Sequence, residues 1–347
     1  MTAAHPAVLE FAHATPPAPG ATIEVAPGLH WLRMPLPFAL DHINLWLLDE
    51  GDAWTLIDTG YGDAPTRALW GRHFTTSMRS LPLRHVIATH CHPDHLGNAA
   101  WLATRFACPV SMTHAEFLVA HAILTETASH GPRDTCELFR RHGMADADVA
   151  AMAALGNRYA NGVPAAPAAV RRLLAGDRAI AGNQAWQVIV GYGHSPEHAS
   201  LYAGGPNVLI SGDMLLPKIT TNVSVWPSDP DGDPLGRFLH SIAAFEHLPP
   251  DALVLPSHGL PFRGIPLRVE ALRAHHAARL TELEEAVAAA ATPVSAMQMV
   301  PVLFRRPLDL HQRFFAMGEA IAHLNHLWHR GRLSRTLSPE GQVRFAV

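Results

Sequence analysis

The chain has little of what marks secreted, membrane-spanning or nucleic-acid-binding proteins. Only three of its 347 residues are cysteine (Cys91, Cys108 and Cys136), an odd number with no CxxC pair. Neither a disulfide framework nor a thiolate zinc ribbon is therefore expected, and a reducing compartment fits. Charged residues make up only 16% and the net charge is -4, which argues against a polybasic surface; nucleic acid is not an expected partner. No stretch is apolar for long enough to span a bilayer, so no membrane association is expected. The stretch up to Gly20 is rich in proline and lacks a basic start followed by an apolar core. It is read as a disordered leader rather than a signal peptide, and a cytoplasmic location is expected. Lysine is almost missing, with Lys218 alone among the 26 basic side chains.

What is present is apolar surface and histidine. Hydrophobic residues reach 48%, enough for a large core, and the length calls for one large domain with an appendage or for two domains. Alternating and β-branched residues predict strands at Thr22–Met34, Ile43–Asp49, Trp54–Asp58, Val86–Thr89, Ala185–Val190, Ala199–Tyr202, Val208–Ser211 and Ala252–Leu255. Helices are predicted at Ala64–Phe74, from Pro93 onward, and at Asp233–Leu248, where Leu235, Phe238, Ile242 and Phe245 share a face. Ala115 to about Pro164 reads as a helical insertion. Beyond residue 264, Val269, Leu272, His276, Leu280, Leu283 and Val287 form one helical stripe, and Phe314, Met317, Ile321, Leu324 and Trp328 another. A hairpin-like end with the turn Ser338-Pro339-Glu340-Gly341 follows. The expected organisation is an α/β chain: leader 1–20, catalytic domain 21–264, and a helical, winged-helix-like appendage 265–347.

Most of the 24 histidines must be surface or packing residues, but one run stands apart. Thr89-His90-Cys91-His92-Pro93-Asp94-His95 places three imidazoles and a carboxylate directly after a predicted strand. Residues two apart on an extended backbone point the same way, so His90 and His92 can share one ion, and the helix opening at Pro93 turns Asp94 and His95 toward a second. Three further segments end predicted strands: Gly193-His194-Ser195-Pro196-Glu197-His198, Ile210-Ser211-Gly212-Asp213 and Pro256-Ser257-His258-Gly259. Each alone is a weak signal; strand ends are where a rigid scaffold brings distant ligands together. Cys91 alternates away from the two ligands beside it and reads as a packed thiol. The helical histidines His275, His276, His311, His323, His326 and His329 read as solvated or packing residues.

In order and residue type these motifs resemble the metallo-β-lactamase fold superfamily, over about Ile23 to Pro261. The resemblance implies an αββα sandwich with two divalent metal ions at its edge. His90, His92 and His194 would hold the first metal, Asp94, His95 and His258 the second, and Asp213 would bridge them. Asp58 would orient the metal-binding loop. His198, where Glu197 replaces the glycine usual before it, would act from behind the ligands. An all nitrogen and oxygen donor set suits zinc, with iron or manganese also compatible. The implied chemistry is hydrolysis by a metal-bridging hydroxide attacking a carbonyl, with the catalytic Asp94 orienting it and relaying its proton.

The helices and hairpin after the core resemble the branch that includes glyoxalase II and lactamase-β-like proteins. This implies a hydrolase of small thioesters or related activated esters, with a lactonase, or a nuclease using the C-terminal appendage, as alternatives. Tyr159 in the insertion, with Arg140 and Arg141 beside it, and Lys218 in the loop leaving Asp213 are the expected substrate contacts. A homodimer is left open.

Overall fold

The computed structural model describes residues 8–347. In chain order its elements are β1 (Glu10–Phe11), β2 (Ile23–Ala26), β3 (Leu29–Pro35), β4 (His42–Asp49), β5 (Trp54–Ile57), α1 (Ala64–Thr75), β6 (Leu83–Ile87), α2 (Pro93–Leu96), α3 (Ala99–Phe106) and β7 (Val110–Met112). The insertion supplies α4 (His114–Leu124), α5 (Pro132–Arg141), α6 (Asp146–Ala154) and α7 (Tyr159–Gly162). Then come β8 (Arg171–Arg172), β9 (Arg178–Ala181), β10 (Gln184–Gly191), β11 (His198–Ala203), β12 (Val208–Gly212), α8 (Pro234–Ala243) and β13 (Leu253–Pro256). The remainder is β14 (Phe262–Arg263), α9 (Ile265–Ala289), α10 (Ala296–Leu303), α11 (Leu310–His329) and the hairpin β15 (Ser334–Leu337) with β16 (Val343–Ala346).

Two seven-stranded sheets stack face to face, ordered β2-β3-β4-β5-β6-β7-β8 and β1-β14-β13-β12-β11-β10-β9. Their inner faces bury Trp31, Trp46, Ile57 and Ile87 from the first against Trp186, Leu201, Ile210 and Leu255 from the second. The outer face of the first sheet is covered by helices through Leu45, Leu47, Leu56, Trp70, Phe74 and Leu102. Strand β4 is buried along nearly its whole length because each face meets a layer, Trp46 and Leu48 one way and Leu45 and Leu47 the other. On the far side, Leu209, Val254 and Phe262 of the second sheet pack against Phe238, Leu272, Leu283, Met317 and Ile321. The architecture is thus αββα, as the sequence implied. The C-terminal helices and Phe345 of the hairpin share that last cluster, so the tail packs onto the sandwich.

Several local expectations change. The supposedly disordered leader contributes β1, which pairs antiparallel with β14 at the edge of the second sheet; residues 1–7 of that leader lie outside the described residues. The single strand expected at Thr22–Met34 is two strands separated by a turn at Pro27-Gly28, where Gly28 has φ +72°. The short strands β7, β8, β9 and β14 were not anticipated, because two to four residues carry too little alternation to be seen.

Candidate metal centre

All four candidate ligand segments leave strand ends on one edge of the sandwich. His90 and His92 follow β6, Asp94 and His95 sit in α2, His194 follows β10, Asp213 follows β12 and His258 follows β13. His90 and His95 are fully buried, and His194, Asp213 and His258 nearly so. Two groups of ligand atoms result: His90, His92, His194 and Asp213 in one, and Asp94, His95 and His258 in the other.

The orientation of the imidazoles comes from behind. His95 Nδ1 lies 2.8 Å from Asp58 Oδ2, His194 Nδ1 donates to the Asn222 carbonyl at 2.8 Å, and His258 Nδ1 donates to the His42 carbonyl at 2.8 Å. Each such bond keeps a proton on Nδ1 and aims Nε2 inward. His90 Nε2 stands 3.2 Å from His194 Nε2 and 2.9 Å from His92 Nδ1. His258 Nε2 and His95 Nε2 lie 3.4 Å and 3.6 Å from Asp94 Oδ2. Most of these spacings match the edge of a tetrahedron with metal–ligand bonds near 2.0–2.1 Å, roughly 3.3 Å. His95 Nε2 and Asp213 Oδ1 are buried without a hydrogen-bond partner, an arrangement too costly to leave unmet. The residues therefore fit divalent metal ions.

Asp213 faces both groups. Its Oδ2 is 3.3 Å from His194 Nε2, while its Oδ1 is 3.6 Å from His95 Nε2 and 3.5 Å from His258 Nε2. Burial opposes its charge, but His258, His95 and His194 hold its pKa well below the carboxylate range. Burial likewise opposes a charged His95, yet Asp58, Asp94 and Asp213 outweigh it and hold the pKa well above the usual histidine value. His90 and His92 are driven the other way, first by burial and then by neighbouring imidazoles, so both present neutral lone pairs.

Asp58 and His198 contact the candidate ligands His95 and Asp213 from the protein side. The Asp58 backbone is left-handed at φ +58°, and its carboxylate accepts from the Thr89 amide at 2.7 Å as well as holding His95. His198 Nε2 accepts the Asp213 amide at 3.1 Å. A side chain on Gly212 would collide with that ring, so only glycine lets the histidine approach.

Glu116 was missed. From α4, its Oε2 accepts the Cys91 amide at 2.9 Å, and its Oε1 accepts the Ser195 hydroxyl at 2.6 Å and the Glu197 amide at 2.7 Å. A lone acid in an Ala-rich helix gives no sequence signal for this. Arg33 and Asn44 were missed too; both donate to the Gly259 carbonyl, at 2.5 Å and 3.1 Å, and steady the loop that carries His258. The buried Cys91 thiol is pushed well up by burial and Glu116, in line with a packed thiol.

The expected substrate contacts fare differently. The Tyr159 hydroxyl donates to the Cys91 carbonyl at 2.6 Å and so positions the metal loop. Lys218 is exposed with its ammonium 5.9 Å from the centre of the Phe11 ring, directed at β1 rather than at a ligand. Arg140 is taken up by Glu137 and Asp146. The helical histidines pack as read: His276 Nδ1 meets His323 Nε2 at 3.1 Å, and His326 meets Asp233 at 2.9 Å.

A four-layer sandwich that presents clustered His and Asp ligands at its edge defines a metal-dependent hydrolase scaffold. The chain belongs to the metallo-beta-lactamase superfamily: residues 39–258 match that family's model, and residues 283–347 match the model described as Metallo-beta-lactamase-like, C-terminal domain. It is similar to a Beta-lactamase domain protein from Burkholderia ambifaria, 46% identical over 97% of this chain and 98% of that one, with a TM-score of 0.89. A metallo-beta-lactamase family protein from Thermus thermophilus is 27% identical over 92% of this chain and 98% of its own, with a TM-score of 0.78. No curated protein matches the sequence. No described helix is long and apolar enough to cross a membrane.

Proposed function

We propose that this hydrolase carries two divalent ions, zinc in the first instance, and cleaves small thioesters or related activated esters. The observation that carries the two-ion reading is the division of Asp213, one oxygen toward His194 and the other toward His95 and His258. His90, His92 and His194 would hold one ion and Asp94, His95 and His258 the other, with Asp213 between them. Such ions supply Lewis acidity at a carbonyl oxygen and lower the pKa of bound water.

Among the described residues, the side-chain nucleophiles nearest the candidate ligands are not free to attack. Ser195 is committed to Glu116, and the Cys91 thiol is buried and held protonated. Water is left as the attacking group. Asp94 is the less buried of the two ligand carboxylates, with its side chain 18% exposed against 10% for Asp213. It is placed to take the proton of the attacking water and return it to the departing thiolate or alkoxide.

The nuclease alternative draws little support, since Arg273, Arg279, Arg305, Arg313, Arg332 and Arg335 of the tail are all paired with carboxylates. Thiol release from a panel of glutathione and coenzyme A thioesters, with lactones alongside, tests the proposal. Turnover of thioesters is expected, and hydrolysis of lactones alone would overturn the substrate class.

A further inference from the structure

Beside Asp94 a strip of aromatic rings leads away from the candidate metal ligands and ends at a cation that no carboxylate among the described residues pairs with. Tyr61 begins it. A methyl group placed on Gly162 would strike both the Tyr61 ring and the side chain of Pro93, so that ring lies against the residue preceding Asp94. Phe38, from the loop between β3 and β4, meets Tyr61 edge-on with centroids 5.5 Å apart and stacks on His311 at 5.2 Å. Phe315, one turn along α11 and 40% exposed, stands perpendicular to His311 at 5.1 Å. Three chain segments distant in sequence thus build one run of rings beside the candidate metal ligands, with Tyr61 at its buried end.

The far end is Arg158, just before α7. Its Nη1 lies 3.0 Å from His311 Nδ1, and no carboxylate among the described residues pairs with it. A guanidinium only donates, so His311 Nδ1 must be the acceptor and its proton must sit on Nε2. Burial, with Arg158 next, lowers the His311 pKa and keeps the ring neutral. Asp309, the nearest acid to His311 along the chain, is occupied in capping α11 through the Gln312 amide at 2.8 Å. The end of the strip therefore offers several N–H donors and a single guanidinium charge, with the Asp309 carboxylate close enough to act on His311, the complement of a monoanion rather than of a doubly charged phosphate.

We propose that Tyr61, Phe38, His311, Phe315 and Arg158 form the acyl subsite of the enzyme and that the acyl group it accepts ends in a carboxylate. The proposal rests on the hydrolase reading above for its orientation. The rings take the apolar chain, and Arg158 with His311 takes the terminal oxyanion. Arg158 acts as a specificity determinant and has no part in the bond-breaking step.

Calorimetric titration of the zinc-loaded protein with dicarboxylates from succinate to suberate, each set against the monocarboxylate of equal carbon number, tests this without turnover. Both acids of a pair offer one carboxylate to the metals, and only the dicarboxylate has a second for Arg158. At one or more chain lengths the dicarboxylate is expected to bind at least about tenfold tighter. In Arg158→Gln, with zinc content unchanged, that preference should fall below about twofold. No preference at any length, or a preference that survives in the variant, would overturn the proposal. Tighter binding of ω-phosphorylated acids of equal length would overturn the choice of carboxylate. Failure of every thioester to turn over, with the dicarboxylate preference intact, would sink the hydrolase reading and leave the subsite standing.

Discussion

The amide of Cys91, the residue between His90 and His92, donates to Glu116 at 2.9 Å, and the same carboxylate takes the Ser195 hydroxyl and the Glu197 amide. One buried acid from the inserted helix thereby ties together the two loops that carry His90, His92 and His194. Glu197 returns the connection, its backbone carbonyl accepting the Thr113 hydroxyl at 2.7 Å.

Glu116→Gln keeps the shape but puts an NH2 group where an oxygen accepts N–H or O–H donors. Stability of the metal-free protein in urea should fall by about 1–3 kcal/mol. Metal affinity, followed by competition with a chromophoric chelator, should weaken by about 10- to 100-fold. Unaltered metal affinity would show that other contacts hold the loops.

Asp58→Asn separates positioning from folding. Asparagine tolerates the left-handed backbone at φ +58° that most residues avoid, so the turn should survive. The His95 Nδ1 proton loses a charged acceptor, and the ion held by Asp94, His95 and His258 should weaken by about 10- to 100-fold. The other ion should be affected less. Chelator titration that resolves two steps would reveal this, and equal weakening of both steps would contradict it.

Gly97 and Gly162 set the approach of the insertion to the metal loop. A Cβ on Gly97 would collide with the Gly162 carbonyl and the Gly62 amide, which are backbone groups with no room to yield. Gly97→Ala should destabilise the protein by about 1–3 kcal/mol. Thermal unfolding checks this, and a stability equal to wild type would mean that the insertion can move.

His73 is buried between Trp70 and Ser77, away from the metal ligands, and burial followed by Arg72 lowers its pKa to about 4. The unfolded chain, with a histidine pKa near 6.5, binds the proton over the window between those values. Stability is therefore full above about 6.5 and is lost as pH falls toward about 4, at up to about 1.4 kcal/mol per pH unit. His73→Asn should flatten the wild-type slope of urea stability by about one proton in that window. Identical slopes would mean that His73 is charged in the folded protein.

Much of this was legible in the sequence because its signals are dense. His90 through His95 concentrate four candidate ligands in six residues, and His194, Asp213 and His258 stand beside glycines at strand ends. The helical stripes of α8, α9 and α11 were visible for the same reason: a long amphipathic pattern repeats its message. Glu116, Arg33 and Asn44 were not legible, since each acts through backbone groups of residues far away in the chain. Tyr159 is expected from sequence to contact substrate, and the structure turns its hydroxyl to the Cys91 carbonyl, a backbone partner that no sequence pattern signals. Strand β1 escaped because two residues at a sheet edge are defined by their partner, β14, and not by a pattern of their own.

The central claim is that Asp213 joins two metal sites through its two oxygens. Elemental analysis of purified, zinc-reconstituted protein tests it most directly, with circular dichroism confirming that each variant is folded. Wild type should hold about two ions per chain, and Asp213→Ala should lose metal from both sites, because one carboxylate serves both. A folded Asp213→Ala that still holds two ions, or a wild type that never binds more than one, would contradict the account.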